Sequence, residues 1–113
     1  MEIFFDPTNG KKGFRQIMVN TLGAVNDMKS DGGEVVPWDS GVKAAVKKNA
    51  DSWAVEMAVP MSSITQDTVK GGNIWGLNIC RTPIIGKEAE HTCWSPTFGG
   101  FQQPDKFGSL LFK

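Results

Sequence analysis

The stretch Trp53-Ala54-Val55-Glu56-Met57-Ala58-Val59 carries the clearest strand pattern in the chain. Successive side chains of an extended segment point to opposite sides. Trp53, Val55, Met57 and Val59 therefore share one face, and Ala54, Glu56 and Ala58 the other. Pro60, which has no N–H to give to a ladder, ends the strand. Met61–Ile64 then reads as one helical turn with Ser62 or Ser63 near its start. Just upstream, Asn49-Ala50-Asp51-Ser52 is a run of turn formers. Val42–Lys48 alternates weakly and by itself suits strand or helix. A hairpin with Trp53–Val59 decides for strand.

The same punctuation repeats in both directions. Glu2–Phe5 is a strand stopped by Asp6-Pro7-Thr8-Asn9-Gly10. Phe14–Asn20 is a second, with Arg15, Ile17 and Val19 on one face and Gln16, Met18 and Asn20 on the other. Leu22–Met28 returns antiparallel after a tight turn at Thr21, and Lys29–Ser40 is a polar, Gly-rich loop carrying Trp38. Downstream, Gly71-Gly72-Asn73 introduces Ile74–Arg81, with Trp75, Leu77 and Ile79 as the inward set. Pro83–Glu90 reads as a loop, His91–Ser95 as a returning strand, Pro96–Asp105 as a second Gly/Pro-rich loop, and Phe107–Phe112 as the last strand. Short strands at this spacing predict an all-β fold, an antiparallel β-sandwich of immunoglobulin or jelly-roll type, in one domain spanning 1–113. Met1 runs straight into a strand without the basic start or cleavage site of a secretory leader. The expectation is a chain that begins in mid-domain and lacks the amino-terminal strands of its sandwich.

Charge excludes some functions. Lys and Arg total 12, as do Asp and Glu, so the formal net charge is zero. A nucleic-acid partner calls for a positive field, and a polybasic membrane anchor for a cationic cluster, and neither is present. No run approaches the roughly 20 apolar residues that span a bilayer. Enzymatic chemistry is poorly supported. His91 is the one imidazole that could activate a nucleophile, and no signal pairs carboxylates such as Glu2, Asp39, Glu56 and Asp105 across a cleft. Cys80 and Cys93 lack C-x-x-C spacing, which with one histidine leaves little basis for zinc. If Ile74–Arg81 and His91–Ser95 form a hairpin centred on Gly86-Lys87, the two cysteines face each other. A cross-strand disulfide and a pair of buried free thiols are then both open. Asp6, Asn9 and Gly10 could ligate structural calcium or merely tighten a turn; no cofactor is otherwise indicated.

Aromatic residues say more. Four Trp and seven Phe occur with no Tyr. Trp53 and Trp75 fall in phase with strand interiors, which predicts core packing. Trp38, Phe98 and Phe101 lie in loops. There a ring can present a flat face to a sugar while neighbouring carboxylates and amides take its hydroxyls. The alternative is a ring folded over the end of the sandwich as a plug.

The ordered motifs resemble a known family. Glu2-Ile3-Phe4-Phe5-Asp6-Pro7, Gln16-Ile17-Met18-Val19-Asn20 and Trp53-Ala54-Val55-Glu56-Met57-Ala58-Val59-Pro60 come first. Trp75-Gly76-Leu77-Asn78-Ile79-Cys80-Arg81, Trp94-Ser95-Pro96 and Pro104-Asp105-Lys106-Phe107-Gly108 follow in order. Together they are similar to the family 9 carbohydrate-binding modules, within the DOMON-like β-sandwiches. The resemblance implies a non-catalytic sugar-binding module of an extracellular or cell-surface protein, with an attached catalytic domain such as a glycoside hydrolase. It implies sugar contacts from Glu2 and Phe101, and from Gln16 and Asn20, which share a strand face with Met18; Trp38 and Phe98 stay further aromatic candidates through their place in loops. Met18 stands where the family carries a basic residue, Phe98 where it carries Asn, and Phe101 where it carries Trp. The family's other aromatic would precede Met1. Two alternatives follow from these departures and from the wider group: a sandwich that packs on a catalytic domain without binding sugar, and a haem-binding electron-transfer domain, for which His91 is the sole imidazole ligand. A sandwich lacking strands also exposes a sheet edge, so self-association is expected.

Overall fold

The computed structural model describes all 113 residues. In chain order its strands are β1 (Glu2–Asp6), β2 (Phe14–Val19), β3 (Val25–Ser30), β4 (Val36–Pro37), β5 (Lys43–Lys48) and β6 (Trp53–Ala58). After the helical turn α1 (Met61–Ile64) come β7 (Ile74–Arg81), β8 (Ile84–Ile85), β9 (Glu88–Ala89), β10 (Thr92–Cys93) and β11 (Gly108–Leu111). Strand makes up 43% of the chain and helix 6%, all pairings are antiparallel, and the arrangement is an open, sandwich-like all-β fold.

The main sheet runs β10-β7-β1-β2-β3-β4, with β11 also paired to β7. The far edge of β7 is shared. Ile74–Leu77 pairs with β11 and Cys80–Arg81 with β10, which leaves Asn78 and Ile79 at the junction. Turn chemistry sets these registers. Between β1 and β2 the Asp6 carboxylate gathers the chain. Its Oδ1 accepts from the Thr8 N–H at 3.1 Å and the Thr8 hydroxyl at 2.7 Å, and its Oδ2 from the Lys11 N–H at 2.8 Å. Of the two readings of Asp6, this is the turn-closing geometry. Between β7 and β10, Ile85 pairs with Glu88 around Gly86-Lys87, where Gly86 supplies a φ of +68° that suits a two-residue hairpin turn. The expected hairpin centre is therefore correct, but 83–90 is a small hairpin rather than a loop, and the returning strand at 91–95 shrinks to Thr92–Cys93.

Both faces of the main sheet are occupied. On one, Phe4, Phe14 and Cys80 form a buried cluster against which Val35, Cys93, Phe101 and Phe107 pack. Phe4 meets Phe14 edge-on at 5.7 Å and Phe107 at a tilt of 47° and 5.5 Å. On the other, Trp75 packs edge-on against Phe112 at 4.8 Å and Phe5 at 6.2 Å, beside the buried Ile17 and Val19 of β2. The inward set read for β7 needs correction. Trp75 is buried, but Ile79 is 40% exposed, while Gly76, Asn78 and Cys80 of the opposite phase are buried. Trp53 also departs from its predicted role. β5 and β6 form a separate two-stranded sheet in which Val46, Val55 and Met57 are half-buried and Trp53 is 36% exposed. The alternation is real, but no residue of this hairpin is fully covered.

Candidate functional site

Cross-strand register assembles the site from residues far apart in sequence. Across the Phe4 face of the sheet one row runs Met18, Glu2, Cys80, Cys93, and the next runs Gln16, Phe4, Asn78. Glu2 and Gln16 are thus diagonal neighbours, within reach of each other on one face. Gln16, itself buried, donates from Nε2 to Glu2 Oε2 at 2.6 Å and accepts at Oε1 from Gln102 Nε2 at 2.8 Å. A three-membered polar ladder results, with one Glu2 oxygen left for a further donor.

Gln102 and Phe101 arrive on the loop that follows β10, and Asn78 anchors the start of that loop. The Asn78 Nδ2 donates to the Ser95 carbonyl at 2.9 Å, and the Ser95 N–H returns a bond to Asn78 Oδ1 at 2.9 Å. Asn78 is fully buried, and its Oδ1 also accepts from the Ile79 N–H at 3.0 Å, the ladder donor that neither β10 nor β11 pairs at the junction. Ser95 Oγ then donates to the Lys106 carbonyl at 2.6 Å, drawing the two ends of the loop together. The loop folds back over the sheet, and Phe101 comes to rest half-buried on the Phe4 cluster.

A cavity of about 430 Å³ opens there, lined by Glu2, Thr82, His91, Gly99, Gly100 and Phe101. The His91 ring lies edge-on to Phe101 at 5.7 Å, and its Nδ1 shares a hydrogen bond with Thr82 Oγ1 at 3.2 Å. On the far side of Phe101 a smaller depression includes Phe98, whose ring is 96% exposed and whose backbone sits at a φ of +56°. Left-handed backbone is unfavourable for a bulky side chain, so the fold holds this ring outward against a local cost. A wider groove of about 520 Å³ adjoins the cavity through Glu2 and Thr82, lined among others by Met18, Asn20, Trp53 and Arg81.

The structure therefore brings Glu2, Gln16 and Phe101 together and sets Phe98 beside them. Asn20 lines the adjoining groove rather than the cavity, and Trp38 lies elsewhere. Asn20 lies beyond the end of β2, where its Oδ1 accepts from the N–H groups of Leu22 and Ala24 and closes the β2–β3 turn. Trp38 is half-buried after β4, with its backbone N–H bonded to the Asp27 carbonyl, and lines neither the cavity nor the groove. Sequence reasoning missed Thr82, His91 and Gln102 as neighbours of Phe101. Only Gln102, a polar residue adjacent to a loop aromatic, carried a local signal.

Carboxylate, amides, imidazole and hydroxyl around a half-buried ring match what a polyhydroxylated ligand needs. A family comparison points the same way. The model of the carbohydrate family 9 binding domain-like family matches residues 1–113. The chain belongs to this family. Its family 9 assignment makes it a carbohydrate-binding module of a generally non-catalytic class. Comparison with curated proteins gave no match, and comparison with solved structures gave none. No helix of this family 9 domain is long and apolar enough to cross a membrane.

Proposed function

We propose that the chain binds sugar at the cavity between Glu2 and Phe101. The observation that carries the reading is the Glu2–Gln16–Gln102 ladder standing beside the Phe101 ring at a cavity of about 430 Å³. The ring offers an apolar platform to the C–H face of a pyranose. Glu2, already oriented by Gln16, accepts from ring hydroxyls, and charge-assisted bonds of this kind are among the stronger ones. Because the ladder is assembled before ligand arrives, little side-chain freedom is lost on binding. In this reading 1–113 works as one binding unit attached to an extracellular or cell-surface protein that degrades polysaccharide, and keeps that protein near its substrate.

A second reading rests on a different observation. Leu22 on the β2–β3 turn and Ile84 and Ile85 on β8 are exposed at 82%, 77% and 63%, and such apolar tips suit packing against an attached domain. Titration of labelled protein with glucose, cellobiose and xylobiose, followed by amide correlation spectra, separates the two. Sugar binding requires shifts at Glu2, His91 and Phe101 that Glu2→Gln and Phe101→Ala each weaken by about tenfold or more. A well-dispersed spectrum that ignores every sugar defeats the proposal and leaves the packing role.

A further inference from the structure

We infer that Cys80 and Cys93 are a disulfide-forming pair that locks β10 onto β7 beneath the candidate site. The two residues are direct cross-strand partners. The Trp94 N–H donates to the Ile79 carbonyl at 2.8 Å, one residue outward on each strand, which makes 80/93 a non-hydrogen-bonded position of the ladder. At such positions side chains approach most closely, with Cα atoms about 4.5 Å apart. Disulfides span Cα separations of roughly 4.4–6.8 Å, so no backbone movement is required. Both thiols are free in the structure, and their sulfurs already lie 2.8 Å apart.

The bond has a defined structural task. β10 is two residues long and edges the sheet, yet the loop bearing Phe101 departs from it. Glu2 neighbours Cys80 in the same cross-strand row, so a covalent link there also stiffens the floor of the cavity. Formation needs an oxidant, for which a small-molecule disulfide suffices. The thiolate of the half-buried Cys93 attacks that disulfide, forms a mixed disulfide and releases one small thiol. Cys80 then loses its proton and attacks the Cys93 sulfur, expelling the second. Two protein thiols and one small disulfide give one protein disulfide and two small thiols. Extracellular and periplasmic settings favour the product.

The folded chain incubated with oxidised glutathione, then quenched with iodoacetamide, reads the outcome by intact mass. Closure lowers the mass by about 2 Da, the two hydrogens of a two-electron couple, and leaves no site for alkylation. In the oxidised chain, exchange of the Trp94 amide slows by about tenfold or more relative to Cys93→Ser and to the reduced protein. Alkylation at both cysteines, a persistent glutathione adduct at Cys93, or a disulfide-linked dimer on a non-reducing gel each overturns the inference. Unchanged Trp94 exchange after closure overturns the locking role. Because the reduced wild-type chain serves as its own control, failure of a serine variant to fold does not blunt the test.

Discussion

Two strands of this protein have similar apolar content and opposite fates. β6, Trp53–Ala58, alternates more cleanly than any other segment, yet none of its residues is fully buried. β7, Ile74–Arg81, carries Asn78 at its centre and exposes Ile79, yet it buries Trp75, Gly76, Asn78 and Cys80. Pairing explains the difference. β6 has one neighbour, β5, whereas β7 is held by β1 along one edge and by β10 and β11 along the other. Alternation says which side chains point the same way. It does not say whether anything lies over them, and burial, not direction, supplies the free energy.

If that comparison is right, truncations in the two regions must cost very different amounts. The largest effect is expected for Phe4→Ala beside β7, where a fully buried ring is lost. A cost of about 3–5 kcal/mol is typical of such cavities. Val46→Ala on β5 removes half-buried methyl groups and should cost about 1 kcal/mol. Urea melts of the two variants measure this directly, and equal costs would break the comparison.

Asn78→Ala sharpens it, because the buried residue at the β7 junction works by hydrogen bonding rather than by apolar area. The substitution strands the N–H and carbonyl of Ser95, and about 2–4 kcal/mol should be lost. The loop carrying Phe101 should loosen at the same time, so sugar affinity and stability fall together. Glu56→Ala, at an exposed position of β6, should stay within about 0.5 kcal/mol.

The smallest effect is a pH dependence confined to the β7 side. Burial, reinforced by the Cys93 thiol and then by the Glu2 carboxylate, pushes the Cys80 thiol well above its ordinary value of 9.0. The unfolded chain therefore releases that proton at lower pH than the folded one. The contribution is fully present below pH 9 and is lost as pH climbs past it, since ionisation then favours the unfolded state. Reduced protein should melt earlier as pH is raised from 9 towards 10, and Cys80→Ala should flatten that slope. A slope that survives the substitution assigns the effect to another group.

Much of this was legible in the residues. Asp6-Pro7-Thr8-Asn9-Gly10 and Gly86-Lys87 state their turns through local chemistry, since short side-chain oxygens and φ-tolerant residues act within a few positions of themselves. The strands at 14–19, 53–58 and 74–81 follow from period-two alternation, and the one at 2–5 from its abrupt stop at the turn formers; the structure extends it to Asp6. The opposition of Cys80 and Cys93 follows from counting outward from a correct turn. Glu2 and Gln16 entered through ordered motifs rather than through spacing, and Phe101 first as an aromatic in a Gly/Pro-rich loop. Asn20 shows what the motif route omits. The family pattern proposed it for sugar, and only the structure shows that its side-chain carbonyl also closes the β2–β3 turn through the Leu22 and Ala24 N–H groups.

What the sequence determined alone is local: where strands start and stop, which side chains share a face, and which residues can turn the chain. What only the tertiary structure decided is which of those faces are covered and which distant residues meet. Gln102 reaches Gln16 across 86 positions, and no local preference encodes such a contact. It exists because Asn78 occupies a gap between β10 and β11 and ties down Ser95, so the following loop returns over Phe4 instead of leaving the sheet. Turn and strand preferences are summed over neighbours in the chain, whereas that gap exists only once three strands have met.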